Sequence, residues 1–411
     1  LTEEWDRVNN YTGAAGADGL PDTFFESENA DELKDKLLAA ITSILQRSAS
    51  GTSVSVLATS STGEGALYQA FFYPLTFEGL NEIKWMGFTQ GLFLDSLGNL
   101  REDTDGDGKL VLQNDIIIKT RFDTATSDVK VDRYRDANGD NVADTSTPFE
   151  TVGLKEVKPI WEAGKQLALM NESARKLLTW VDTNNNGLVE SGEQIPFTTA
   201  NAATLGPYLR AGAAPYTATN IINFIRGVDP QVAGLRDRRL QVPSGSGTLK
   251  VWKFGDAIHA TPTVVVAPKE RFDVLYGDAS YTAYFQQYRN RRQVAYVGAN
   301  DGMLHALNGG FFHRGDDLST TTVVEHGRFS RTATDNSSGP LLGDELWGFI
   351  PYQLLPYLQW LTRTDYTHVY YVDLKPKVTD ARIFTPDADH PNGWGTILIG
   401  GFRMGGSCGA C

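Results

Sequence analysis

The residues with the clearest capacity for chemistry are oxygen donors set at alternate positions in three short acidic loops. The first runs Asp103-Thr-Asp105-Gly-Asp107-Gly-Lys109, with Asp115 downstream. The second is Asp136-Ala-Asn138-Gly-Asp140-Asn-Val142-Ala-Asp144. The third passes from Asp182 through Asn184, Asn186, Leu188 and Glu190 to Glu193. Alternation turns every second side chain toward one centre, the seventh residue offers its carbonyl, and an acid further on closes the shell around a hard cation. The third loop fills the calcium template of the EF-hand, with Gly187 at the sharp turn, the Leu188 carbonyl, Glu190 acting through water and Glu193 as the closing ligand. The second fits a shorter D-x-N-x-D-x-x-x-D loop, using the Val142 carbonyl and Asp144, although Asn141 stands where glycine is usual. The first offers the Lys109 carbonyl but has no acid at the template's closing position, so it must close one residue later, on Asp115. Carboxylates this close repel one another unless a cation is present. Without a cation, the same residues are simply good turn formers. Magnesium suits these loops less well, because they supply many protein oxygens and leave little room for water.

Other reactive groups are sparse. Cys408 and Cys411 form a Cys-Gly-Ala-Cys pair. Such a pair serves as a redox dithiol, half a metal site or a small disulfide loop. With no redox-type surroundings and no second pair, a disulfide in an oxidising compartment is the expectation. His259 and His305 sit inside strand-like motifs and read as structural. Arg314-Gly-Asp316 is a three-residue match of the kind that arises by chance. No Ser/His/Asp set and no paired carboxylates stand out beyond the loops, so no enzyme activity is expected.

Composition agrees with a cation-binding role. The formal net charge is -13, which disfavours nucleic acid and anionic membranes as partners. No apolar run is long enough to cross a bilayer. The chain begins at Leu1 rather than Met and ends in an unfinished strand–turn pattern, so it reads as a mature or internal fragment.

The elements that position the loops are mostly strands. Short β-branched runs at 263–267 and 294–297 are bounded by proline and by Asn300-Asp301-Gly302, a hairpin turn that returns through 303–307. Strands are also expected over 48–61, 67–77, 85–100 (two, turning at Gly98-Asn99), 345–351, 370–373, 378–384 and 396–400. A short helix is expected over 355–361. Leu33, Leu37, Leu38, Ile41, Ile44 and Leu45 recur at helical spacing, predicting an amphipathic helix to about Arg47, capped near Asn29. Region 151–240 is the most helical, with helices predicted over 161–180 and 220–226. Residues 243–248 read as a linker, and Arg236-Asp-Arg-Arg239 as a solvated or ion-paired turn.

Strand, Asn-Asp-Gly turn, strand and Gly-Gly turn is the form of one propeller blade. The phrases GDAIHATP, YVGANDGMLHAL, ELWGFIP and YYVDLKP stand in the order and spacing of the PilY/PilC family, large secreted proteins of type IV pilus machines, which this chain resembles along most of its length. The resemblance implies a mainly β fold, a quinoprotein-like β-propeller that is incomplete here. It assigns 1–47 to the tail of a von Willebrand A-type α/β domain, ending in the N-terminal helix. The propeller then occupies 48–411, with a helical, calcium-loop-bearing insertion at about 151–250. It further implies a non-enzymatic, Ca2+-binding role in pilus assembly, retraction control and adhesion at the pilus tip, outside the cell after export through the periplasm. Minor pilins and a host or surface receptor would be the partners. A quinoprotein-type dehydrogenase and a secreted calcium-stabilised matrix protein are the competing readings. The first commonly carries an adjacent Cys-Cys pair, whereas here two residues separate the cysteines.

Overall fold

The structure, a computed structural model, describes residues 53–58, 65–124, 128–190, 192–229, 232–315, 325–334 and 338–406. The helix expected over 33–47, both cysteines and Asp316 lie outside the described residues. The architecture is mainly β. The first half supplies β1 (Ser53–Ala58), β2 (Gly65–Glu78), β3 (Asn81–Leu94), β4 (Leu100–Arg101), β5 (Lys109–Leu110), β6 (Ile117–Asp123), β7 (Asp128–Tyr134), β8 (Glu150–Gly153) and β9 (Trp161–Glu162). Next come β10 (Leu177–Trp180), β11 (Gln194–Pro196), β12 (Arg239–Gln241), β13 (Leu249–Val251), β14 (Thr263–Val265) and β15 (Gln293–Gly298). The chain continues through β16 (Leu304–Arg314), β17 (Gly327–Ser330), β18 (Glu345–Phe349), β19 (Lys377–Arg382) and β20 (Trp394–Ile399).

One sheet runs β1-β2-β3-β4-β6-β7-β8, with β9 also on β3. A second runs β11-β10-β18-β16-β15-β14, and β17 bridges β16 to β5. β12–β13 and β19–β20 form separate hairpins. Among the described residues these sheets are open, closing into neither a barrel nor a propeller ring. Tyr68, Phe93, Ala295, Val297 and Leu307 pack into one core that joins the two sheets. A second core gathers Leu177, Leu304 and Ile350 around the helix Ala218–Arg226. That helix is capped by the Thr217 hydroxyl, which accepts from the Asn220 amide at 3.2 Å, and it stops at Gly227 in the left-handed region (φ 81°). The backbones of β3 and the segment before Asp256 touch. A Cβ on Gly87 would lie 1.7 Å from the Gly255 carbonyl oxygen, so only glycine fits there.

Several predicted elements appear where expected. The Asn300-Asp301-Gly302 turn joins β15 to β16, with Gly302 at φ 101°. Four expectations need correction. Of 161–180 only Ala163–Leu169 is α-helical, Glu172–Ala174 forms a short 3-10 turn, and Leu177–Trp180 is a strand in which Leu177 and Thr179 are buried. The cause is tertiary: β10 pairs in parallel with β18, and Arg175 is drawn inward by Glu345. Residues 370–373 are not a strand. They cross the end of the β15–β16 hairpin, where the Tyr371 amide donates to Asn300 Oδ1 (2.9 Å) and the Val372 amide to the Ala299 carbonyl (3.3 Å). Residues 243–248 are no linker but the turn of the β12–β13 hairpin. In the basic run Arg239 pairs with Asp237 at 2.7 Å, as expected of a turn, whereas Arg236 and Arg238 are buried.

At the centre lies a buried charge network. Arg175 donates through Nε and Nη2 to both oxygens of Glu345, each at 2.8 Å, and through Nη1 to the carbonyls of Ile225 (3.0 Å) and Arg226 (3.2 Å). His305 faces Glu345 with Nδ1 (2.8 Å) and Asp301 with Nε2 (3.0 Å), and Asp301 accepts from the Gly255 amide (2.9 Å). Burial alone would lower the His305 pKa, but the Asp301 and Glu345 carboxylates outweigh it and push it up to about 9. Burial would raise Glu345, but Arg175 and His305 hold it well below the carboxylate range.

His305 therefore gains a proton more readily in the fold than in the unfolded chain. Its contribution is complete below about pH 6.5 and fades as pH rises toward 9. That of Glu345 is present above about pH 4.5 and is lost as pH falls further. Urea midpoints should thus decline on the alkaline side, and His305→Gln should flatten that decline. Glu345→Gln should cost about 3–5 kcal/mol, because it strands buried cations. An alkaline slope unchanged in His305→Gln would mean that His305 is neutral in the fold.

Candidate metal centres

Each acidic loop leaves the end of a strand. The first follows β4 and runs on through β5, the second follows β7, and the third is the tip of the β10–β11 hairpin. The third loop is thus flanked by strands, whereas a helix was expected upstream. In the first loop Asp103 and Asp115 are buried, and Asp105 and Asp107 are exposed. Carboxylate oxygens of Asp103, Asp105 and Asp115 lie within 4.8 Å of one another, the one such acidic trio among the described residues. Asp115, the irregular closing residue in the sequence, does reach the centre.

The three loops share one hydrogen-bond frame. The opening aspartate accepts amides four and five residues on: Asp107 and Gly108 at Asp103, Asp140 and Asn141 at Asp136, Asn186 and Gly187 at Asp182. The next donor residue, Asp105, Asn138 or Asn184, accepts from the amide two residues later. Asp107, Asp140 and Asn186 in turn accept from the amides of Lys109, Val142 and Leu188. The closing acid reaches back to the amide after the opening aspartate. Asp115 accepts from Thr104 at 3.0 Å, Asp144 from Ala137 at 3.1 Å and Glu193 from Thr183 at 2.8 Å. The closing residue is reached after loops of different length, so the frame is a property of the folded backbone and not of spacing alone. Asn141 takes φ 65°, a left-handed conformation that asparagine tolerates, which explains why it can stand in for glycine. In the third loop Glu190 accepts from the side-chain amides of Asn184 and, at 3.2 Å, Asn186. The Thr183 and Glu190 amides hold the Glu193 carboxyl below its usual range.

One residue that the loop pattern does not contain ties the first two loops together. Arg101 is fully buried. It donates to Asp95 (2.8 Å), to the carbonyls of Leu112 (2.9 Å) and Asp115 (2.8 Å), and to Asp136 (2.6 Å). The only hint in the sequence is an arginine just before an acidic loop, a position that reads equally well as solvated. His259 bonds Asp373 at 2.6 Å and His305 belongs to the central network, so neither approaches a loop. Arg314 ends β16.

Burial pushes the Asp103 carboxyl up to about 7. The Gly108 amide offsets part of this, and Asp115, Asp107 and Asp105 push it further. Burial likewise raises Asp115 to about 6 and raises Asp107. With no cation bound, the fold holds protons here that the unfolded chain has released. Stability should therefore fall as pH rises from about 4 toward 7. Urea titrations in chelator at several pH values should show this fall, and Asp115→Asn should reduce it. A variant with the full wild-type slope would remove Asp115 from the explanation.

Sequence comparison places these features among known proteins. A PilY1 homolog described as a type IV pilus biogenesis factor, from Xylella fastidiosa, is 30% identical over 214 residues, 50% of this chain and 14% of that protein. The factor PilY1 of Pseudomonas aeruginosa strain PAO1 is 29% identical over 195 residues, 46% of this chain and 13% of its own length. That of strain UCBPP-PA14 is 26% identical over 260 residues, 60% of this chain and 17% of its own. The matched segment thus spans less than a fifth of these relatives, and about half of this chain, less than the motif resemblance implies. No family model matches, and no solved structure matches. Over about half of its length, this chain is similar to proteins described as PilY1 type IV pilus biogenesis factors.

Proposed function

We propose that this chain serves type IV pilus biogenesis as a non-enzymatic, calcium-braced β scaffold. In this reading it lies outside the cell at the pilus tip, contacts minor pilins and presents a surface for adhesion. The relatives' description as type IV pilus biogenesis factors supports the pilus role. Calcium rests on one observation, the common hydrogen-bond frame of the three loops. It bends each loop around its opening acid and ties the closing acid beside it, and in the first loop three carboxylates come together. An all-oxygen donor set of this size suits a hard cation with many ligands. Asp103, Asp105, Asp107, the Lys109 carbonyl and Asp115 would hold the first ion. Asp136, Asn138, Asp140, the Val142 carbonyl and Asp144 would hold the second. Asp182, Asn184, Asn186, the Leu188 carbonyl, Glu190 and Glu193 would hold the third.

A bound ion would shield carboxylates that otherwise repel, so its binding free energy would become folding free energy. Retraction control and adhesion would then depend on a scaffold that is stiff only where calcium is plentiful. The β14-β15-β16-β18 part of the second sheet is proposed as one blade of a propeller that begins near residue 48, with about 151–250 inserted among its blades. Residues 1–47 are assigned to the tail of a von Willebrand A-type domain. No helix among the described residues is long and apolar enough to cross a membrane.

Calcium should raise the melting temperature in proportion to the logarithm of its excess over Kd. With its mixed acid and amide donors, the third loop should bind in roughly the micromolar-to-millimolar range. Glu193→Gln should lose part of the calcium-dependent rise while keeping its stability in chelator within about 1 kcal/mol of wild type. Asp144→Asn and Asp115→Asn should each remove another part. If wild type and all three variants respond identically to calcium and to chelator, the loops are polar turns and the calcium reading fails. The pilus role is tested separately, by co-purification of the intact protein with minor pilins.

A further inference from the structure

Two buried guanidinium groups have no partner for several of their donors. In the segment that leads into β12, Arg236 and Arg238 are buried while the partly exposed Asp237 and Arg239 pair with each other at 2.7 Å. Arg236 is 8% exposed and Arg238 7%. Nε and Nη1 of Arg236 and Nε of Arg238 are buried and have no hydrogen-bond partner. Arg236 lies over the Tyr366 ring at 4.3 Å, and Arg238 over Phe224 at 3.9 Å. Stacking uses the face of a guanidinium and leaves its in-plane N–H groups in need of acceptors. Arg238 satisfies one by donating through Nη2 to the Phe224 carbonyl.

Both side chains line a cavity of about 30 Å³ beneath Trp252 and Leu361, together with Asp256 and Asp301. The two aspartates are already engaged. Asp301 bonds His305 and the Gly255 amide, and Asp256 bonds Asn300 (2.7 Å) and His368 (2.9 Å). Glu345 is held by Arg175. Lys253 turns instead to the carbonyls of Leu167, Ala168 and Met170. Asp256 and Asp301 act on Arg236 and Arg238 through space, but their oxygens bond other groups, so several in-plane N–H groups of the two guanidiniums are left without acceptors. Buried N–H groups without acceptors are costly. Burial lowers both guanidinium pKa values, taking Arg238 down to about 9.

We propose that this cavity binds a small monatomic anion of the halide class, held by the unpartnered N–H groups of Arg236 and Arg238. The cavity has room for one such ion or for one or two waters, and it is too small for phosphate or a carboxylic acid. An ion there would complete the charge balance of the network beside it and fix the 235–239 segment against the hairpin turn at Asp301. It needs nothing from the acidic loops.

Two measurements on the intact protein test this at fixed calcium and matched ionic strength. Melting should shift upward, with saturation, when sodium gluconate is replaced by sodium chloride or bromide, because gluconate is too large to enter. Arg238→Gln should lose that halide-dependent shift while keeping any general salt effect. Equal melting in gluconate and chloride would overturn the proposal. Crystals of the wild-type protein grown in bromide should give an anomalous peak between Arg236 and Arg238, and this readout stands even if the variant does not fold. A map with no bromide at that position overturns the proposal, leaves the cavity to water, and decides the matter should the two measurements differ.

Discussion

The bidentate pair between Arg175 and Glu345 is the constraint on which the second sheet depends. Once both groups are out of water, each must be met in full, because an unmatched buried charge costs several kcal/mol. Meeting them fixes much else. Arg175 must leave the helical path, so the chain enters β10 extended and parallel to β18. The carbonyls at the end of the helix Ala218–Arg226 must lie within reach of Nη1. His305 must occupy β16 two residues from Leu307, the partner of Glu345 across the strands, and Asp301 must sit in the turn where it can face the imidazole. One ion pair thus sets the place of a helix, three strands and a hairpin turn. Such groups are expensive to bury, and their gain lies in excluding other arrangements of the same apolar core.

The acidic loops obey a similar logic at a smaller scale. Each opening aspartate accepts backbone amides of its own loop, which bends the loop into a cup around it. The closing acid then locks the cup by bonding the amide beside the opening residue. Arg101 adds a fixed buried cation between the first two cups, bonding the backbone of Asp115 in one and the carboxylate of Asp136 in the other. These loops are therefore parts of one buried polar assembly at one end of the first sheet, whereas the third belongs to the second sheet.

Much of this was legible in the sequence. The three loops announce themselves because oxygen-bearing side chains recur at alternate positions, and the shared hydrogen-bond frame is set largely by neighbours along the chain. The β15–β16 hairpin was legible because Asn300-Asp301-Gly302 supplies its own turn chemistry between β-branched runs. The helix ending at Gly227 was legible from apolar periodicity and a glycine stop. In each case the information lies within about a dozen residues, and neighbours along the chain are enough to decide the conformation.

The tertiary structure alone decided the rest, because the deciding partners are distant in sequence. Residues 161–180 have helical periodicity, yet half of them become irregular chain and strand, since Glu345 lies 170 residues away from Arg175. Asp115 closes the first loop although no template puts a ligand there, because β5 and the following turn bring it back beneath Asp103. Arg101 looks like a surface arginine until the strands around it close. Arg236 and Arg238 look like half of a basic surface run until the fold buries them against Tyr366 and Phe224. Local propensity determined the turns, the β15–β16 hairpin and the helix that stops at Gly227. Burial of charge, which no local pattern reports, determined which of them meet.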